Sequence, residues 1–207
     1  MAVRDLLWGC PLCRAPGGIR PDGSRERCRA CGAEFRRGRG STIIARIEGS
    51  SRVRSAGDWL SILGPVEAPR ADADGLILGP ERVRVKRSRR QNPLRYAGEL
   101  LGWVELYDRP QRGTMSLRSD GLHFQPEEGP AVNWAPGDLT GLQPASSSLQ
   151  LGLHREMASV KFLEGSVRLW TRALSDLLRE HYRRGGRDVL ELQPFVRTCI
   201  LQGAPRE

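Results

Sequence analysis

Two periods of hydrophobicity follow one another in the second half of the chain. In "RVRVKRSRR" (82–90), Val83 and Val85 alternate with Arg82, Arg84 and Lys86, the pattern of a strand with valines inward and cations outward. "YAGELLGWVELYD" (96–108) reads as a second, longer strand, with a "QNP" loop before it. "GTMSLRSDGLHFQP" reads as a hairpin: Met115 and Leu117 alternate, Asp120-Gly121 turns, and Leu122 and Phe124 resume. Three more short strands follow, clearest at Leu149, Leu151 and Leu153 and at Val160 and Phe162. Short strands at this spacing predict an antiparallel sandwich or barrel.

After Glu164-Gly165 the period changes. "SVRLWTRALSDLLREHYRR" (166–184) places Val167, Trp170, Leu174, Leu177, Leu178 and His181 or Tyr182 on one stripe, which predicts an amphipathic helix. Ser166 is placed to cap its start and Gly185-Gly186 to end it. Arg179, Arg183 and Arg184 complement the dipole at its end.

The first half is less periodic. "STIIARI" (41–47) reads as a strand, "SAGDWLSIL" (55–63) as a helical turn or a strand, and "GPVEAPRADADG" (64–75) as a loop or linker. "GLILGP" and, near the end, "DVLELQPFV" (188–196) read as further strands.

The most specific chemistry lies at the start. Cys10, Cys13, Cys28 and Cys31 form two C-x-x-C pairs with a turn-rich, hairpin-like spacer, "RAPGGIRPDGSRER". Such pairs chelate from tight turns, and two of them close a tetrahedral four-thiolate zinc site. Two disulfides or four buried thiols are the alternatives. With all four positions filled by sulfur there is no place for a reactive water, so the Zn²⁺ is expected to be structural. Its binding energy is expected to order residues 1–40, which without metal are expected to be disordered.

Charge adds less than its size suggests. The formal net charge is +9, yet of 33 basic residues only Lys86 and Lys161 are lysine. Arginine, alanine, glycine and proline are all abundant, as in a GC-rich coding bias. The location of the charge is more telling. Arg82, Arg84, Lys86, Arg87, Arg89, Arg90 and Arg95 fall within residues 82–95 with no acid among them, which makes them candidates for binding an anionic lipid surface or nucleic acid. A guarded, solvated strand edge is the plainer alternative. No stretch approaches the length of a membrane-spanning helix, and thiols meant for zinc imply a reducing compartment. The chain therefore reads as cytoplasmic, with a peripheral place at the inner membrane face compatible.

The paired cysteines resemble a zinc ribbon, over roughly the first forty residues. The run of antiparallel strands closed by one amphipathic helix resembles the pleckstrin-homology-like superfold, including GRAM-type domains; "GTMSLRSDGLHF" resembles the GRAM pattern of strand, turn and "GL-x-F". That resemblance covers roughly 82–184 and implies that Trp170 plugs one end of a bent barrel. It departs from the lipid-binding subset, because "GELLGWVELYD" carries Glu99, Glu105 and Asp108 and no arginine.

No phosphate loop, nucleophile elbow or histidine–nucleophile spacing is present. His154 and His181 read as structural or surface residues, Cys199 as a buried small hydrophobe, and Glu127-Glu128 as a solvated turn. The organisation expected is a zinc ribbon over 1–40, a strand and linker region of uncertain membership over 41–81, and a PH/GRAM-like domain over 82–203 with its helix at 166–184. The fold class is mainly β (α+β). The function expected is a non-enzymatic adaptor that docks a protein partner, an anionic membrane surface, or both, with no small-molecule substrate identified. Nucleic-acid binding through the 82–95 segment and the ribbon arginines (Arg14, Arg20, Arg25, Arg27, Arg29, Arg36, Arg37) is the alternative.

Overall fold

A computed structural model describes residues 2–67, 69–145, 147–154 and 156–186, with 89–91 and 102–105 described by their backbone. It is mainly β, with 48% strand and 19% helix. The segment 188–196 and Cys199 lie outside the described residues.

Two antiparallel sheets carry the fold. The first runs in chain order: β1 (Ile19–Asp22), β2 (Arg25–Cys28), β3 (Glu34–Arg37), β4 (Thr42–Ile47) and β5 (Ser50–Ser55). A short helix α1 (Val3–Leu6) precedes it and α2 (Ala56–Leu63) follows it. Alternation places Phe35, Ile43 and Ala45 on one face, where they pack with Val3, Leu7, Trp8, Ile19, Trp59 and Leu63. The segment 55–63, readable as helix or strand, is a helix because its cap decides it. Asp58 N–H donates to Ser55 Oγ at 3.0 Å, and Ser55 N–H donates to the Asp58 carboxylate at 3.2 Å, a reciprocal box that satisfies two orphan donors. Trp59 then turns inward, and its Nε1–H donates to the Ile43 carbonyl at 3.2 Å. At the chain's start, buried Glu26 accepts from the backbone N–H of Val3 and from Arg4 Nη1 at 2.7 Å, tying α1 to β2.

The second sheet contains β6 (Leu76–Tyr96), β7 (Glu99–Tyr107), β8 (Gln111–Arg118), β9 (Gly121–Pro126), β10 (Val132–Trp134), β11 (Leu139–Pro144), β12 (Ser148–Leu153) and β13 (Met157–Phe162). Their order is β10-β9-β8-β6-β13-β12-β11, with β7 pairing β6 alone. The sheet curls into a half-barrel. Helix α3 (Val167–Arg184) lies on its concave face, where Val167, Trp170, Leu174 and Leu178 join Val83, Val85, Leu117, Phe124, Leu151 and Phe162 in one core. Trp170 stacks at a tilt on Phe162, ring centroids 4.9 Å apart.

Several local expectations are corrected. The "QNP" loop does not form, because β7 pairs with β6 from Ser88 to Tyr96, with register shifts between Ser88 and Arg90 and between Leu94 and Arg95, and so continues the strand through Pro93. A proline is tolerated there because the ribbon has an open side. The turn lies instead at Ala97-Gly98, both at positive φ (49° and 88°), the geometry of a two-residue hairpin. Arg118 pairs with Gly121, so Ser119-Asp120 makes the β8–β9 turn and Gly121 already belongs to β9. Ser166 stands at the N-cap of α3 without a side-chain capping bond. Its hydroxyl donates to the Leu7 carbonyl at 3.2 Å, across to the first unit.

That bond is part of a joint. Leu169, one residue before Trp170, points the other way and is buried among Trp8, Ile19 and Phe35. Arg20 pairs with the buried carboxylate of Glu81. The region 41–81 divides accordingly: β4, β5 and α2 complete the first sheet, and β6 begins at Leu76.

Candidate metal centre

The four cysteines meet beside the first core. Cys10 lies between α1 and β1, Cys28 ends β2, and Cys13 and Cys31 follow each by three residues. Each pair sits in a turn of the same build. Cys10 N–H donates to the Ala15 carbonyl (3.0 Å) and Cys28 N–H to that of Ala33 (2.8 Å). Arg14 N–H donates back to Cys10 (2.7 Å) and Gly32 N–H back to Cys28 (2.9 Å). The residue after each second cysteine is left-handed, Arg14 at φ 61° and Gly32 at φ 73°. The signal for this repeat is in the sequence, "CPLCRA" against "CRACGA".

The geometry fits one tetrahedral ion. Cys10 and Cys31 Sγ are 3.7 Å apart, Cys13 and Cys28 Sγ 3.6 Å, and all four sulfurs lie within 4.8 Å of one another. A Zn–S bond of about 2.3 Å requires a tetrahedron edge of about 3.8 Å. A disulfide needs about 2.05 Å, so the disulfide alternative does not describe this arrangement, and the four thiols are free.

The electrostatics agree with a cation site. Burial pushes the Cys10 thiol well up, against N–H donation from Cys13 and Leu12. Burial also raises Cys31, opposed by the N–H of Ala33. At Cys28 burial again acts upward, but the N–H groups of Cys31 and Ala30 and the thiols of Cys10 and Cys13 outweigh it and lower its pKa. Backbone donors thus already favour one thiolate. Cys10 and Cys31, raised by burial, are the sulfurs that a bound cation would help to ionise. Cys10, Cys13, Cys28 and Cys31 are the residues that would hold it.

The basic segment is distributed differently from its reading in sequence. Arg82, Arg84 and Lys86 do project from the exposed face of β6 while Val83 and Val85 are buried. Arg82 pairs with Glu164 at 3.1 Å and Arg87 with Glu156 at 2.5 Å. Arg95 sits on the far part of β6, where its Nη1 donates to the Gly98 carbonyl; the side chains of Arg89 and Arg90 lie outside the described residues. Register adds two cations that sequence distance hides. Arg84 is directly opposite Arg112 of β8 on one side and Lys161 of β13 on the other. Of the ribbon arginines, Arg20 pairs with Glu81, and Arg25 and Arg27 with Glu34, each of the latter at 2.8 Å.

Comparison with known protein families finds no match, and comparison with curated proteins finds none either.

Proposed function

We propose that this is a non-enzymatic, cytoplasmic docking protein, built from a zinc ribbon and a PH/GRAM-like half-barrel, that meets an anionic membrane surface. The observation that carries the reading is the row Arg112–Arg84–Lys161 across three neighbouring strands, with Lys86 two residues along on the same exposed face. Like charges directly opposite one another destabilise a sheet, and no acid is paired with any of these four among the described residues. An anionic surface relieves that repulsion. Near anionic lipid each cation contributes about 1 kcal/mol, so four give about 4 kcal/mol, an affinity near 1 mM. The site is therefore weak alone and suited to a partner that presents many charges.

A membrane is preferred to nucleic acid on shape. The row lies on an open sheet face, and the apolar stripe of α3 is occupied by the core, so among the described residues that helix is not free to enter a groove. The metal is a staple in this reading, and one zinc per chain is expected by elemental analysis. The experiment for the surface is co-sedimentation with vesicles of anionic and of neutral lipid at low and high salt. Anionic binding that salt removes, and that Arg84→Ser/Lys86→Ser/Arg112→Ser/Lys161→Ser abolishes, is the expected result. Binding that survives the fourfold change rejects the site, and a mobility shift on DNA or RNA without vesicle binding rejects the membrane.

A further inference from the structure

A cleft of about 640 Å³ opens where the two units meet, a volume that suits a small molecule. One wall is a single stripe of α3. Arg168, Thr171, Arg172, Ser175 and Arg179 line it, at the i, i+3, i+4, i+7 and i+11 spacing of one helix face, over about 16 Å. That face is turned away from the one that Trp170 and Leu174 bury. The opposite wall is apolar, with Leu6 and Val66 from the first unit and Pro144 from the end of β11. In open solvent such a stripe pairs its arginines with acids one turn away, as Arg183 and Arg184 do with Glu180. In the cleft that pattern fails. Asp176 is shared between Arg172 (3.0 Å) and Arg179 (2.9 Å). Arg168 has no acidic partner among the described residues. Glu164, four residues before it, is engaged by Arg82, and the residue four after it is Arg172, a like-charge spacing that destabilises a helix. The one acid in the lining, Asp5, already accepts from the Ala2 N–H at 2.8 Å.

We propose that the cleft binds a small amphiphilic phosphate, a phosphoryl head on an apolar body, taken up as a free molecule rather than as part of a membrane. Arginine forks meet phosphate oxygens in pairs, and Arg168 and Arg172, one turn apart, are spaced to share one phosphoryl group. Three cations there face two carboxylates, Asp5 and Asp176, so the cleft keeps a positive charge that the phosphate neutralises. The Ser175 hydroxyl has no partner among the described residues and supplies a further donor. That of Thr171 is turned instead to the Val167 carbonyl at 2.8 Å. Leu6, Val66 and Pro144 give the apolar body a surface to bury. Position sets the cleft apart from the membrane site. Val83 and Val85 face α3 while Arg84 and Lys86 face away, so a flat surface that meets the cation row lies across the sheet from the cleft. The ligand touches both units, and so ties them at the joint made by Leu169 and the Ser166–Leu7 bond.

The test is calorimetric titration of the full, metal-loaded chain at constant ionic strength. The probes are phenyl phosphate, inorganic phosphate for the head alone and benzyl alcohol for the body alone. Saturable binding of phenyl phosphate with a Kd of about 1 mM or below is expected, at least about tenfold tighter than either part. Arg168→Gln/Arg172→Gln is expected to weaken it at least about tenfold. Both side chains are exposed, so circular dichroism and zinc content are expected to stay unchanged. Arg84→Ser/Lys86→Ser/Arg112→Ser/Lys161→Ser is expected to keep probe binding while losing vesicle binding, so the cleft and the cation row fail separately. Probe binding that is absent, that the glutamines leave intact, or that inorganic phosphate alone equals overturns the proposal. Loss of probe binding in the fourfold variant assigns the anion to the sheet and overturns it too. So does vesicle binding that the glutamines abolish.

Discussion

Removing the metal is expected to melt a defined part of the first unit rather than the whole of it. Between Cys10 and Ala33 the segment fully buries one large apolar side chain, Ile19, in the first core; Cys10, Cys28 and Ala33 are buried with it, and Leu12, Ala15 and Cys31 pack against it only partly buried. Burying an isoleucine is worth about 2 kcal/mol. The conformational entropy of ordering the backbone of the whole stretch outweighs that gain. The stretch therefore does not hold itself, and a four-thiolate zinc at about 10–16 kcal/mol is the largest single favourable term acting on it. By contrast β3, β4 and α2 retain Phe35, Ile43, Trp59 and Leu63. After chelation, hydrogen exchange is expected to accelerate at the amides of Cys10, Arg14, Cys28 and Gly32, whose bonds close the two turns. Amides of β4 and of β8 are expected to stay protected. Slow exchange in the cysteine turns after elemental analysis shows the metal gone would refute the reasoning.

Leu169→Ala removes the side chain by which α3 enters the first core; Leu169 is 4% exposed, so a loss of about 3 kcal/mol is expected, read as the separation of one thermal transition into two. Glu81→Gln strands Arg20 beside a neutral group. Because the Arg20 side chain is 19% exposed, the loss is discounted to about 2 kcal/mol, measured by urea unfolding. Acid acts on the cap of α2. Hydrogen bonds from the Ser55 side chain, then from its backbone, hold the Asp58 carboxyl below the usual carboxylate range; a depressed folded pKa means the cap helps folding above the unfolded value and ceases to as pH falls through the folded one. The Ser55 amide shift followed through that window is expected to move with the Asp58 carboxyl, and an unchanged shift rejects the cap.

What was legible in sequence was what local periodicity encodes. Val83 and Val85, Met115 and Leu117, and Leu149 and Leu151 alternate in contiguous runs, and the stripe of α3 repeats at helical spacing, so their faces were fixed before any partner was known. The cysteine turns were legible because each is closed within six residues. The rest depended on contacts between distant segments. Nothing near Lys161 or Arg112 marks them as neighbours of Arg84; the pairing of β6 with both β8 and β13 makes them so. Leu169 falls off the helical stripe and looks solvent-facing until the first unit covers it. Pro93 argued for a loop, and tertiary pairing with β7 overrode it.

Leu169 and Trp170 are adjacent in sequence, yet each is buried in a different core. On a helix, adjacent residues face about 100° apart, so a single turn of α3 can serve two packing surfaces only if the first unit is held against it at a fixed angle. Three contacts set that angle: Leu169 itself, the Ser166 hydroxyl on the Leu7 carbonyl, and Arg20 on Glu81. Arg20 lies on β1, whose pairing with β2 runs from Ile19 opposite Cys28. The metal turns are therefore built into the hairpin that positions Arg20, and Arg20 grips β6 one residue before the exposed cations begin at Arg82. An ion held by the four sulfurs would thus bear on the strand that carries the cation row. Loosening the cysteine turns frees Arg20 and leaves the Glu81 carboxylate buried without its partner, which weakens the start of β6 while its valines stay packed. Coupling of this kind follows from a shared helix and a shared ion pair, and it requires no conformational change elsewhere.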